Sequence, residues 1–454
     1  MEIVVPQILI TLGAILVLGF IGNYIFNKTQ IPSIIWLLIF GLFVGVVFNV
    51  QQINDQILIQ ISSLFGAIAI VIILFDGGIN TDLYQLFKGA PRGLLVTIIG
   101  FCLSLIATML IVVGLSIFQI LPIPLDQSII VGLILGAIVG GTSSPIVIPL
   151  ASRLKNLQDK TKMALSIESI ITDPLCIIVV LAAVLMLNTP NANLGDGIKS
   201  LVSTFSVGAV VGFIIGLLWL PIMHKVQKQQ FSYILTLAVV FLIYSVTESW
   251  WGGAGALSCL TFGLVLGNGK KILKMINYQG RSYEMDNETK QFHSLTSFVI
   301  RTFFFVYLGM MVSFQRIEFI LIGIVVLFAL LALRYVAVLI STYKGGFEKD
   351  DKQTMTVLMP RGLAAAILAI NFGPPIIEKI AESIGGDQGI NFALSMDGFF
   401  KDVAFLVILG TAIITTIGVS IISHYEMKKM KTQSCENIDN NIDNVINKQN
   451  NGIK

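Results

Sequence analysis

Between residues 4 and 424 the chain returns repeatedly to apolar runs of about twenty residues, the length a helix needs to cross a bilayer. No water reaches a backbone inside a bilayer, so each run must satisfy its own peptide groups, as a helix does. Hydropathy places about thirteen such cores, at roughly 4–25, 32–50, 57–75, 94–120, 128–150, 162–187, 199–223, 231–247, 253–268, 291–313, 317–342, 353–373 and 401–424. An apolar fraction of 55%, with 12% charged residues and a mean hydropathy of +0.87, excludes an ordinary soluble protein. The expectation is an all-α polytopic membrane protein.

The loops give the orientation. With the N-terminus outside, the inner loops hold twenty basic residues, among them Arg153, Lys160, Lys162, Lys270, Lys271 and Lys274. The outer loops hold four: Lys199, Arg316, Lys379 and Lys401. This positive-inside asymmetry puts the C-terminus in the cytoplasm. Glu2 and the lack of a basic leader argue for a first helix that stays. The polar tail, residues 425–454, reads as disordered. Cys102, Cys176 and Cys259 fall in apolar runs and read as small buried hydrophobes. The three histidines are scattered, and no metal cluster or nucleotide fingerprint is seen, so neither a cofactor nor nucleic acid is implied. Basic inner loops answer to membrane lipid.

Within the sixth run lies Ser166-Ile-Glu-Ser-Ile-Ile-Thr-Asp-Pro174. An acid at bilayer depth costs several kcal/mol and is by default functional. Ser169 and Asp173 are four apart and share a helix face, so a hydroxyl and a carboxylate can meet one small ligand. Glu168 points elsewhere, toward a structural partner. Pro174 cannot donate to the Ile170 carbonyl, which leaves backbone oxygen beside the acid. Oxygen ligands around one carboxylate suit Na+ or a proton.

Two runs are interrupted. Gly140-Gly-Thr-Ser-Ser-Pro145 breaks the fifth, with Gly141, Ser143, Ser144 and Pro145 loosening the backbone. Met359-Pro-Arg-Gly-Leu363 breaks the twelfth through Pro360 and Gly362. Irregular backbone at this depth survives only inside protein or along a cavity. A broken helix in each half points to a transporter of inverted repeats, here spans 4–6 and 11–13, with its site at the midplane. Asp76, in Phe75-Asp-Gly-Gly-Ile-Asn-Thr-Asp82, reads either as a second acid at an inner funnel or as a loop residue in a Gly-Gly turn. Arg301, Arg334 and Arg361 also fall inside spans and need carboxylates, carbonyls or water. Arg301 alone could instead snorkel to an interface.

Phe75-Asp-Gly-Gly, Glu168-Ser-Ile-Ile-Thr-Asp173, Arg301-Thr-Phe-Phe-Phe-Val-Tyr-Leu-Gly309 and Pro360-Arg-Gly-Leu-Ala-Ala-Ala366 together resemble the monovalent cation:proton antiporters, prokaryotic NhaP branch. The resemblance runs to about residue 424. It implies a homodimer in the cell membrane, serving pH homeostasis, with fifth and twelfth helices that unwind and cross. Residues 1–93 and 188–313 would form the dimerisation and linker parts, and 94–187 and 314–424 the core. It implies that Asp173 binds the ion and the proton, with Ser169, Thr142 and Asp76 as Na+ ligands and Thr172 beside them. It further implies that Glu168 pairs with Arg334 or Arg361. Thr172 stands where the branch usually has Asn, and Ser143 where Asp is common, so the choice among Na+, Li+ and K+ stays open.

The exchange itself follows from charge. One carboxylate takes a proton or a cation, since each neutralises the same charge. If the empty anionic carrier cannot cross, exchange is obligatory, and a single acid makes it electroneutral. Three other classes fit the sequence less well. A channel needs a continuous pore. A proton-coupled organic-anion carrier would use the arginines as ligands. An aspartyl protease would need Asp76 and Asp173 in a setting the sequence lacks, so an enzyme is not expected.

Overall fold

The computed structural model describes residues 4–29, 31–47, 56–82, 91–154, 157–187, 194–226, 232–275, 287–312, 314 and 316–451. Lys88, Lys155, Lys228 and Arg281, counted above among the inner charges, lie outside them.

The described residues form helices and the short turns and gaps between them. The first group is α1 (Val4–Thr29), α2 (Ser33–Val47) and α3 (Gln56–Asn80). Next come α4 (Pro91–Ile117), α5 (Leu125–Gly140), α6 (Ser144–Arg153) and α7 (Asp159–Leu187). The middle of the chain forms α8 (Leu194–Val226), α9 (Ser232–Trp251), α10 (Gly255–Gly267), α11 (Gly269–Met275) and α12 (Asn287–Met311). The last part forms α13 (Ile317–Thr342), α14 (Lys349–Val357), α15 (Leu363–Asn371), α16 (Gly373–Ile384), α17 (Gly386–Met396) and α18 (Phe399–Asn451). Among the described residues, eight helical segments are long and apolar enough to cross a membrane, and four shorter helices are also apolar. Large apolar side chains such as Phe20, Phe43, Leu218 and Phe328 point outward, as lipid requires.

Two half-bundles carry the breaks. In one, α4 packs against α5 and α7; in the other, α13 packs against α14 and α18. The halves join where α4 meets α13 and where α15 meets α5 and α7. Around them, α10 packs against α3, α8 and α9, while α12 packs against α1 and α2 and reaches α15.

The structure departs from the sequence reading in four places. Residues 374–400 were expected as a loop, yet they form most of α16 and α17. The helix α16 is amphipathic: Ile376, Ile377 and Ile380 are buried, and Glu378, Lys379 and Glu382 are exposed. Such a helix averages too polar for a hydropathy window, although its periodicity is clear. Gly385 and Gly386, at φ of 73° and 57°, make the sharp reversal that only glycine takes without strain. Residues 425–451 continue α18 rather than forming the expected disordered tail. No Pro or Gly lies between Gly418 and Gly452 to stop the helix. Gly77 and Gly78 lie inside α3, so Asp76 is helical and not in a turn. Cys102, finally, is exposed on α4, whereas Cys176 and Cys259 are buried.

Candidate functional site

Each break is built from residues that stop and restart a helix. The first half ends at Gly140, with Gly141 extended, and α6 restarts at Ser144. Pro145 stands in the first turn of α6, where a missing N–H costs nothing. In the second half α14 ends at Val357 and α15 restarts at Leu363 after Gly362. The two gaps touch: Ser143 N donates to Pro360 O at 2.8 Å. A Cβ on Gly362 would lie 2.7 Å from Cβ of Ser143, so glycine is what allows the approach.

Orphan carbonyls at the end of α5 have a charged partner. Arg361 donates through one terminal nitrogen to Gly140 O at 2.6 Å and to Gly141 O at 3.0 Å. A cation at a helix C-terminus also opposes the macrodipole. The Arg361 backbone N–H donates to Thr411 Oγ1 of α18 at 3.0 Å, which anchors the second gap. On the other side of the first gap, Thr142 N donates to Thr172 Oγ1 at 2.9 Å, and the two hydroxyls lie 3.3 Å apart. Thr172 thereby ties the unwound stretch to α7.

Glu168 is held by Arg334, both nearly inaccessible. The guanidinium grips the carboxylate with both terminal nitrogens, the Nη2–Oε2 bond being 2.8 Å. Its Nε donates to Met355 O at 2.9 Å, so one side chain links α7, α13 and α14. Of the two arginines offered as partners of Glu168, Arg334 holds it, and Arg361 instead serves the α5 carbonyls.

Beside the crossing lies a cavity of about 50 Å³, room for an ion and a few waters. Asp173 of α7 and Asp76 of α3 both line it, as do Ser144, Pro145 and Leu363 at the first turns of the restarted helices. Helix N-termini favour negative charge nearby, so both breaks support the carboxylates. Asn80, exposed at the end of α3, lines it too and donates to Asp76 Oδ1 at 2.6 Å. Glycine lets α3 come this close. A Cβ on Gly77 would lie 2.9 Å from Pro174 Cγ of α7, and Gly78 backs onto α10 at Leu260 and Leu264.

Not every expected ligand reaches this cavity. Ser169 is buried and donates to Ser166 O of its own helix at 3.1 Å. Thr142 and Thr172 are buried against each other behind Asp173. Conversely Arg301 and Ser297, one turn apart on α12, line the cavity, a position their place in the sequence does not reveal. The signal for Arg301 was in the sequence, an arginine within an apolar span, but its facing was not.

The family described as sodium/hydrogen exchanger, transmembrane, matches residues 13–424. The K(+)/H(+) antiporter NhaP of Alkalimonas amylolytica is 26% identical over 367 residues, covering 80% of this chain and 60% of that protein. Sodium/hydrogen exchanger 8 of Arabidopsis thaliana is 27% identical over 271 residues, 56% of this chain and 34% of that one. The chain thus spans less than two thirds of the length of these two relatives. Na(+)/H(+) antiporter 1 of Methanocaldococcus jannaschii is 24% identical over 387 residues, 82% of this chain and 85% of that protein. The solved sodium proton antiporter MjNhaP1 of the same organism, at pH 8, has the same fold: TM-score 0.71 at 23% identity, covering 94% of this chain and 98% of that one.

Proposed function

The chain belongs to the sodium/hydrogen exchanger family, and we propose that it exchanges a monovalent cation for H+ across the cell membrane by alternating access. The observation that carries this reading is the cavity beside the crossing, where carboxylates from α3 and α7 open onto one small space. Asp173 takes either the cation or the proton, and Asp76 supplies a second oxygen site. The cation is Na+, Li+ or K+; relatives bear names of both Na+ and K+ antiporters. These ions are cargo, and the scheme calls on no cofactor.

The residues divide the work. Glu168 with Arg334, and Arg361 on the α5 carbonyls, keep the core a rigid body, while Thr142 and Thr172 hold the unwound stretch against Asp173. The helices α1–α3 and α8–α10 serve as the static scaffold and the homodimer contact. With the N-terminus outside, the cavity mouth at Asn80 faces the cytoplasm, on the side of the basic residues Lys270 and Lys271 of α11. An organic-anion carrier is disfavoured, because Arg334 and Arg361 are engaged elsewhere and Arg301 shares its cavity with two carboxylates.

Dye-reported proton movement in proteoliposomes, on adding Na+ and then K+, tests this. The wild type moves protons with at least one of the ions, and Asp173→Asn does not. Competition of one proton with one cation also raises the apparent KM about tenfold per unit fall in pH on the acid side. Flux that survives in Asp173→Asn removes Asp173 from the centre. Absence of flux with either ion, from folded wild type, ends the antiporter reading.

A further inference from the structure

The scheme above gives no task to the amide at the rim of the cavity. Asn80 is the last residue of α3, is exposed, and lines the cavity together with Asp76 one turn before it. Its Nδ2 donates to Asp76 Oδ1 at 2.6 Å. An ionised carboxylate only accepts, so the NH2 arm is the one on Asp76, and the carbonyl arm of the same planar group is turned away from it. Asn80 Oδ1 meets no donor among the described residues.

The backbone that carries this amide is strapped down just beyond it. Thr81 Oγ1 donates to Gly77 O at 2.5 Å, and Asn268, between α10 and α11, donates to Thr81 O at 2.8 Å. Lys271 of α11 donates to both carboxylate oxygens of Asp82, at 2.5 and 2.6 Å. The rim is therefore stiff, and the bond to Asp76 fixes the amide on it. The place also suits a cation. The helix α3 ends here, and a helix C-terminus is the negative end of the macrodipole. A carbonyl oxygen on a held backbone is the kind of ligand with which proteins replace the water of an alkali ion.

We propose that Asn80 is a cation ligand at the inner mouth, its NH2 arm anchored on Asp76 and its carbonyl oxygen replacing one water of the entering ion, and that this fixed oxygen sets the ranking among Na+, Li+ and K+. The inference rests on the cation:proton exchange proposed above and deepens it by naming the residue that selects the ion. A neutral oxygen attracts a small ion more strongly than a large one, because the small ion comes closer. An ion on the carbonyl also polarises the amide and strengthens its bond to Asp76.

The test measures apparent KM and maximal rate for each of the three ions in proteoliposomes, on the alkaline side of the pH profile. Asn80→Leu removes both arms of the amide at nearly the same volume. It is expected to raise the KM of the best-transported ion about tenfold, to leave the maximal rate within about twofold, and to narrow the differences among the ions. Asn80→Asp removes the donor arm and keeps an oxygen for the ion. Its KM is expected to stay at or below that of the wild type. A residue that only positions Asp76 gives the opposite result, since an aspartate there repels Asp76 instead of bonding to it. Unchanged KM and ranking in Asn80→Leu overturn the inference, and so does an Asn80→Asp as impaired as Asn80→Leu. Should Asn80→Leu fail to fold, Asn80→Ala, which only shortens an exposed side chain, takes its place with the same outcomes. Lack of exchange by the wild type would instead defeat the antiporter reading itself.

Discussion

The half-bundle of α4 to α7 and the half-bundle of α13, α14, α15 and α18 share a plan and differ in charge. Each sets an intact helix, a helix broken near its middle and a second intact helix side by side. Of the buried charges, the first half brings the acids Glu168 and Asp173; the second brings the arginines Arg334 and Arg361 together with the acids Asp351 and Asp402. Every arginine of the second half reaches across to the first, Arg334 to Glu168 and Arg361 to Gly140 and Gly141. Asp173 is the acid of the pair that neither arginine takes, and it faces the cavity. The shared plan makes two gaps that meet, and of the two acids of the first half it leaves Asp173 on the cavity wall.

The largest break in that pattern is loss of the cross-half ion pair. Glu168→Gln leaves the Arg334 guanidinium buried without its counter-charge, and thermal unfolding in detergent should show a loss of about 3–5 kcal/mol. Replacing both partners, Glu168→Gln with Arg334→Met, should recover much of it. Next in size is Arg361→Met, which strips a charged donor from two carbonyls. It should lower stability by about 3 kcal/mol and also abolish proton flux, because the end of α5 is no longer set beside Asp173. Gly362→Ala sharpens the comparison at the point of contact. The added methyl meets Ser143, so a loss of about 1–3 kcal/mol is expected, relieved by Ser143→Gly in the same chain. The smallest effect belongs to Thr172→Val, which removes the acceptor for Thr142 N. A loss of about 1 kcal/mol and a raised cation KM, with the pH slope of that KM unchanged, would fit a residue that supports the site without carrying charge.

Much of this was legible in one dimension. Glycine and proline at 140–145 and 359–363 announced both gaps, because they alter the backbone wherever they stand. Glu168 was read as turned away from Asp173, since five residues on a helix separate their faces. What depended on neighbours was less legible. Ser169 shares a face with Asp173, and in the structure its hydroxyl donates to Ser166 O one turn back, a partner always within reach of a helical serine. A Gly-Gly turn was one of two readings left open for Gly77 and Gly78, whereas they are glycine because α7 and α10 press on α3 from two sides.

By itself, then, the sequence determined the membrane-spanning helices, the two interruptions and the acids and arginines buried with them. Each of these follows from the cost of placing a peptide group, a proline or a charge in hydrocarbon, which is paid residue by residue. Only the tertiary structure decided which charge answers which. Arg334 and Glu168 are 166 positions apart, and Arg301, Asp76 and Asp173 line one cavity only because α12, α3 and α7 enclose it. Such pairings depend on how each helix is rotated and how closely its neighbours approach, and that is settled by packing between helices and not within any one of them.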